Sequence, residues 1–173
     1  MSETEKLKEA IFTMTKANLR QWNQGAINIV SKAEYAALQG FSVLESTGLL
    51  EEFLRTCKEE QIPLPNTMIN YLYRDASNYK VPNNVVIKGI LSKKEIELII
   101  DSLDGGEEFI PEQVGFPAER FGDITEDDHC WMELTKDDFT LSMATPTIDL
   151  TSAEVIERFR KAKDNWQDVL YAV

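Results

Sequence analysis

The stretch from Thr67 to Gly89, TMINYLYRDASNYKVPNNVVIKG, limits this chain more than any other. Ile69, Tyr71 and Tyr73 alternate with Asn70, Leu72 and Arg74, and aromatic residues at period two predict a strand. Val85, Val86 and Ile87 form a short β-branched run after Asn83-Asn84 and predict a second strand. A lone pair of strands does not hold in water, so the rest of the chain must supply more strands and a covering layer. Between the strands lies Arg74-Asp75-Ala76-Ser77-Asn78-Tyr79-Lys80. Asp, Ser and Asn there stabilise turns through their own backbone bonds without any ligand. The same types, with Arg74, Tyr79 and Lys80, also suit a recognition loop carried on a rigid scaffold.

Helical signals precede this stretch. Ser2 and Glu5 have the spacing of a capping box, and Leu7, Ile11 and Met14 follow at helical intervals. That helix ends near Asn18 or runs through Leu19 and Trp22 to Gly25. A second helix is predicted over Lys32–Leu38, with Ser31 as its cap and Gly40 as its stop. A third carries Leu49, Leu50, Phe53, Leu54 and Cys57 on one face, with Ser46 or Thr47 as cap and Pro63 and Pro65 as terminators. Residues 1–62 are therefore expected to be a helical appendage, and 67–173 an α+β domain, with the boundary at Gln61–Asn66.

Beyond the strands, Ser92 and Glu95 form a second capping box, and Ile96, Ile99, Ile100 and Leu103 recur at i, i+3, i+4 and i+7. Gly105-Gly106 supplies the stop. The segment 107–122 carries two Pro and two Gly among Phe109, Ile110, Val114 and Phe116, and reads as an ordered loop. A third capping box, Thr151 with Glu154, opens a helix facing the core with Val155, Ile156, Phe159 and Trp166. The expected fold is α+β. An antiparallel sheet of four strands, 68–74, 84–90, 129–135 and 138–143, has the 93–103 and 152–164 helices on one face. Its inner face is expected to hold Leu72, Val86, Cys130, Met132 and Leu134.

The formal net charge is −12, and residues 101–138, with 13 acids and 2 bases, carry −11 of it. Affinity for phosphate backbones rests on Lys and Arg, so direct nucleic-acid binding is not expected. An acidic face attracts a basic protein surface, or mimics DNA toward a DNA-binding protein, though acidic surfaces also serve solubility. Residues 2–9 are mostly polar and no apolar run approaches a membrane span, which points to the cytoplasm. Two cysteines, Cys57 and Cys130, suit a reducing compartment better than a disulfide framework.

Glu126-Asp127-Asp128-His129-Cys130-Trp131-Met132-Glu133 holds the single histidine and invites a metal reading. As a strand, however, it would place His129 and Glu133 about 13 Å apart at roughly 3.3 Å per residue, too far to share an ion. No metal site and no cofactor are expected. An outward face of His129, Trp131 and Glu133 beside Arg74–Lys80 makes a better protein-contact surface, with Trp131 as its anchor. Glycine-rich phosphate loops, serine elbows and paired zinc histidines are not found in the sequence. Adjacent His129 and Cys130 would point to opposite sheet faces, which disfavours a Cys–His nucleophile.

The motifs RDASNYK (74–80), FIPEQVG (109–115), EDDHCWMEL (126–134) and TPTIDLTSAEVIERF (145–159) resemble a family of small uncharacterised proteins of bacteria and their phages, over roughly residues 68–166. That family often has His after the Trp of the third motif. This chain has Met132 there, which further weakens a metal site. The resemblance implies one compact domain, a phage or mobile-element origin, and the location of a site without its chemistry. Two functions remain open from the residues. One is a non-enzymatic protein-binding module, an inhibitor or DNA mimic, able to form homo-oligomers. The other is a small-ligand binder or hydrolase using Asp75, Asn78, Tyr79, Lys80, Asp128 and His129.

Overall fold

The structure is a computed structural model. It describes residues 1–25, 27–123 and 125–168, with the backbone alone for residues 27–31. The chain divides into two compact units, Met1–Pro65 and Asn66–Val173. Among the described residues, no helix is long and apolar enough to cross a membrane.

The first unit is three helices, α1 (Glu3–Asn23), α2 (Ile27–Ser46) and α3 (Leu50–Glu59). Ser2 caps α1 reciprocally with Glu5, satisfying two of the amide donors that every helix start leaves open. Phe53 is the centre of the core, edge-on to Phe12 at 5.2 Å and to Phe41 at 5.9 Å between ring centroids. The second helix corrects the sequence reading. It begins ahead of Ser31 and continues through Gly40 to Ser46. Gly40 is a point of close approach and not a stop: a Cβ there would lie 2.3 Å from Thr15 Oγ1 on α1. The true stop is Gly48 at φ +71°, where the Leu49 amide folds back to Leu44 O at 2.8 Å. The hydroxyls of Ser46 and Thr47 donate back to Val43 O, so neither caps α3; its N-cap is Leu49, which makes no side-chain bond.

The second unit is α+β. Its strands are β1 (Asn66–Arg74), β2 (Lys80–Ile87), β3 (Glu108–Phe109), β4 (Met132–Glu133) and β5 (Phe139–Ser142). Its helices are α4 (Lys93–Ile100), α5 (Pro111–Val114) and α6 (Ser152–Ala162). The antiparallel sheet runs in the order β2-β1-β4-β3. β1 is central: one edge pairs with β2 from Thr67↔Ile87 to Arg74↔Lys80. Its other edge is shared, Asn66–Ile69 pairing with β5 and Leu72 with Glu133 of β4. The sheet thus has five strands where four were expected, because Glu108–Phe109, read as loop, pairs with β4.

Three strand expectations need correction. Residues 80–83 extend β2 at its start, and residues 88–90 lie outside it. Asn83 sits in mid-strand, buried, because its amide bonds to both backbone groups of Glu119, receiving from N at 2.7 Å and donating to O at 3.0 Å. The 129–135 strand shrinks to Met132–Glu133. On β1 the buried residues are Thr67, Ile69, Tyr71 and Tyr73, so Leu72 lies on the opposite face. The tyrosines can turn inward because each hydroxyl finds an acceptor: Tyr71 donates to Pro117 O and Tyr73 to Asp128. Met132 and Leu134 join the core as expected. Val86 is buried but pairs with Met68, on the Leu72 face of the sheet and not the core face, because the β1 parity that turns the tyrosines inward sends Val85 and Ile87 inward with them; Cys130 is buried ahead of β4, outside that core.

Ile99 and Leu103 of the α4 region and Val155 and Phe159 of α6 join Ile69, Tyr71, Tyr73 and Phe109 in one core. Ile96 and Ile100 are half-buried against it. The capping boxes at Ser92–Glu95 and Thr151–Glu154 both form. Trp166 closes the core edge, its indole N–H donating to Ser102 O at 3.0 Å.

Candidate functional site

Two loops meet at the end of the β1–β2 hairpin. The first, Asp75–Tyr79, is tied to itself. Asp75 Oδ1 accepts the Tyr79 amide at 2.8 Å, and the Asn78 amide reaches Asp75 O at 3.0 Å. Asn78 closes the turn at φ +69°, a left-handed conformation that Asn tolerates better than most residues. Arg74 braces the loop from below. Its Nε and Nη2 fork onto Glu133 at 2.6 and 3.1 Å, and its Nη1 donates to Asn78 Oδ1 at 2.6 Å.

The second loop is 121–128. The Ala76 amide bonds to Asp127 O at 3.1 Å, and the Ser77 hydroxyl donates to Asp127 Oδ2. Asp128 is the hinge between surface and core: Oδ2 accepts the Thr125 amide at 2.7 Å and Oδ1 accepts the buried Tyr73 hydroxyl. The Tyr73 hydroxyl bond, then the Thr125 amide, hold the Asp128 carboxyl below the ordinary carboxylate range.

A pocket of about 220 Å³ opens between the loops. Tyr79 and Phe121 line it, edge-to-face with centroids 6.2 Å apart. Both are exposed, Tyr79 by 67% and Phe121 by 39%. Asp75, Asp123, Asp127 and Asp128 line it as well, and no basic side chain does among the described residues. A larger cavity, about 620 Å³, lies in the helical unit, but the Lys16–Glu60 ion pair at 2.6 Å and the Lys8–Glu52 pair hold acid against base along it. That groove offers neither a net charge nor an exposed aromatic to a ligand.

The structure therefore gathers Arg74, Asp75, Asn78, Tyr79, Asp127, Asp128 and Glu133 around the hairpin end. Lys80 is exposed beside it and does not line the pocket. His129 lies beneath, its ring 5.3 Å from that of Tyr73, with Nδ1 buried and without a hydrogen-bond partner among the described residues. Trp131 is half-buried against Trp166, 6.4 Å between centroids, and is not in the pocket. Sequence reasoning missed Phe121, Asp123 and Tyr73. It also missed Arg120, which forks onto Glu112, donates to Cys130 O at 2.6 Å and sits 5.8 Å from the centroid of the Tyr73 ring. A single phenylalanine in the polar run RFGD was the available signal for Phe121.

Among the described residues, no three His, Cys, Asp or Glu side chains are arranged to hold a metal ion. The Cys130 thiol donates to Asp168 at 2.9 Å and does not engage His129; burial, then Asp168, push it up to about 12, so it stays a thiol at neutral pH. The chain matches no family model, no curated protein sequence and no solved structure.

Proposed function

We propose that this chain is a non-enzymatic protein-binding module whose working surface is the end of the β1–β2 hairpin with loop 121–128. The observation that carries the reading is the exposed Tyr79–Phe121 pair set in a rim of aspartates. Exposed aromatics fixed on tied loops lose little entropy on binding and act as interface anchors, while the acidic rim steers a basic partner. Tyr79, in place of Trp131, is the anchor. A small-ligand or hydrolase reading is weaker. A pocket of about 220 Å³ falls below the roughly 300–1,000 Å³ of ordinary ligand sites. Asp127 and Asp128 are also engaged in holding the loops, so neither is a free general base.

The basic partner is a protein of the same compartment, which the composition suggests is the cytoplasm. Inhibition of a DNA-binding protein by charge mimicry is one form of this role, and the phage-protein resemblance favours it. The test is capture from the native host with three baits: wild type, Tyr79→Ala/Phe121→Ala, and Asp101→Asn/Asp104→Asn. The reading expects one co-purifying protein, lost with the aromatic variant and kept with the other. Equal capture by all three baits counts against it.

A further inference from the structure

We propose that the pocket at the hairpin end is a socket for one arginine side chain of the partner, an inference that rests on the protein-binding reading above. Size is the first argument. A cavity of about 220 Å³ equals about seven water volumes at roughly 30 Å³ each, room for one long side chain and not for a peptide.

Charge is the second. Four aspartates line the pocket, and no basic side chain does among the described residues. Asp75 and Asp127 each commit one oxygen to the loops, to the Tyr79 amide and the Ser77 hydroxyl, which leaves the second oxygen of each without a bond among the described residues. Asp123 makes no hydrogen bond or ion pair among those residues. A ligand bringing several N–H donors in one plane suits several separate acceptors, and guanidinium has five donors where an ammonium has three on a point charge.

The aromatics are the third. Tyr79 and Phe121, edge-to-face at 86°, both line the pocket, and a guanidinium stacks on aromatic rings readily because it is weakly hydrated. Burying two apolar rings beside four carboxylates makes little sense for an anionic or neutral guest. The two neighbouring arginines are already engaged, and Lys80 beside them does not line the pocket. Arg74 is held by Glu133 and Asn78, and Arg120 by Glu112 and the Cys130 carbonyl, so neither fills the socket from within.

The experiment titrates the full chain, labelled with nitrogen-15, with N-acetyl-Gly-Arg-Gly-amide and with its citrulline and lysine counterparts, following amide shifts. The arginine peptide is expected to move the signals of 75–79 and 121–128. Citrulline, which keeps the shape and loses the charge, should move none, and lysine should bind more weakly. Asp127→Asn and Tyr79→Ala, checked for fold by their own spectra, should each weaken arginine binding about tenfold, the first by loss of a charge-assisted contact and the second by loss of the stacking ring. Equal response to arginine and citrulline, equal affinity for arginine and lysine, or shifts spread over 101–108 would each overturn the socket. If the peptide fails while Tyr79-dependent capture of a protein persists, the socket falls and the interface stands. If both fail, the protein-binding reading falls with it.

Discussion

Replacing Tyr73 by Phe tests the link between the core and the binding surface. Tyr73 is fully buried, and its ring packs against Phe121 at 6.0 Å and His129 at 5.3 Å. Phe keeps that packing and removes one hydroxyl, which donates to Asp128 and receives the His129 amide at 3.4 Å. A hydrogen bond to a charged group contributes about 1.5–3 kcal/mol. Asp128 is half exposed and keeps its Thr125 bonds, so the loss should sit at the low end, about 1.5 kcal/mol. For a unit of this size that corresponds to a melting temperature lower by about 5–8 °C. Asp128 adds a pH signature. Its folded carboxyl titrates below the unfolded value of about 3.9, so its contribution is present above that pH and disappears as pH falls through the folded value. Urea unfolding of wild type, Tyr73→Phe, Asp128→Ala and the double variant at pH 7 measures the coupling. Losses that add, with a coupling below about 0.3 kcal/mol, would show that the core does not hold the Asp128 turn in place.

Other outcomes follow from the same geometry. Gly→Ala inside a helix ordinarily stabilises by up to about 1 kcal/mol, yet Gly40→Ala should destabilise the helical unit because the new methyl meets Thr15. Adding Thr15→Ala should recover the loss, and a stabilised single variant in thermal melts would refute the close contact. Ile99→Ala should cost about 2–5 kcal/mol in urea unfolding, since Ile99 is 1% exposed in the core of the second unit. Burial pushes the Cys57 thiol up to about 11 and that of Cys130 to about 12. Both thiols are therefore neutral in the folded chain, and stability is intact below the unfolded thiol value of about 8.5 and declines as pH rises from there toward the folded values. A thiol reagent at pH 8 should find neither cysteine until denaturant is added.

What the sequence revealed was local. Three capping boxes formed as their spacing predicts, because a cap is decided within four residues. The alternation in β1 was plain, but its parity was not. Leu72 is the more apolar choice for an interior, and only partners distant in sequence, Pro117 and Asp128, let Tyr71 and Tyr73 take that place. Gly40 reads as a stop until Thr15 of another helix is set beside it. β3 and β4 have two residues each, too short to show a period. At the site, RDASNYK and EDDH drew attention through their density of polar types, and they do meet. Phe121 did not, because one aromatic in a loop carries no pattern, and Trp131 looked like the anchor until Trp166 was found against it.

The central claim is that Tyr79 touches a partner protein. Placing a photo-crosslinking phenylalanine at position 79 in the native host, and in a parallel strain at position 101, tests it most directly. Asp101 is exposed in the same acidic segment but does not line the pocket. Irradiation should yield one discrete protein adduct from position 79 that is absent from position 101 and fades as salt is raised, since the Debye length falls from about 10 Å at 0.1 M to about 3 Å at 1 M. No adduct at position 79, or the same adduct from both positions, would contradict the account.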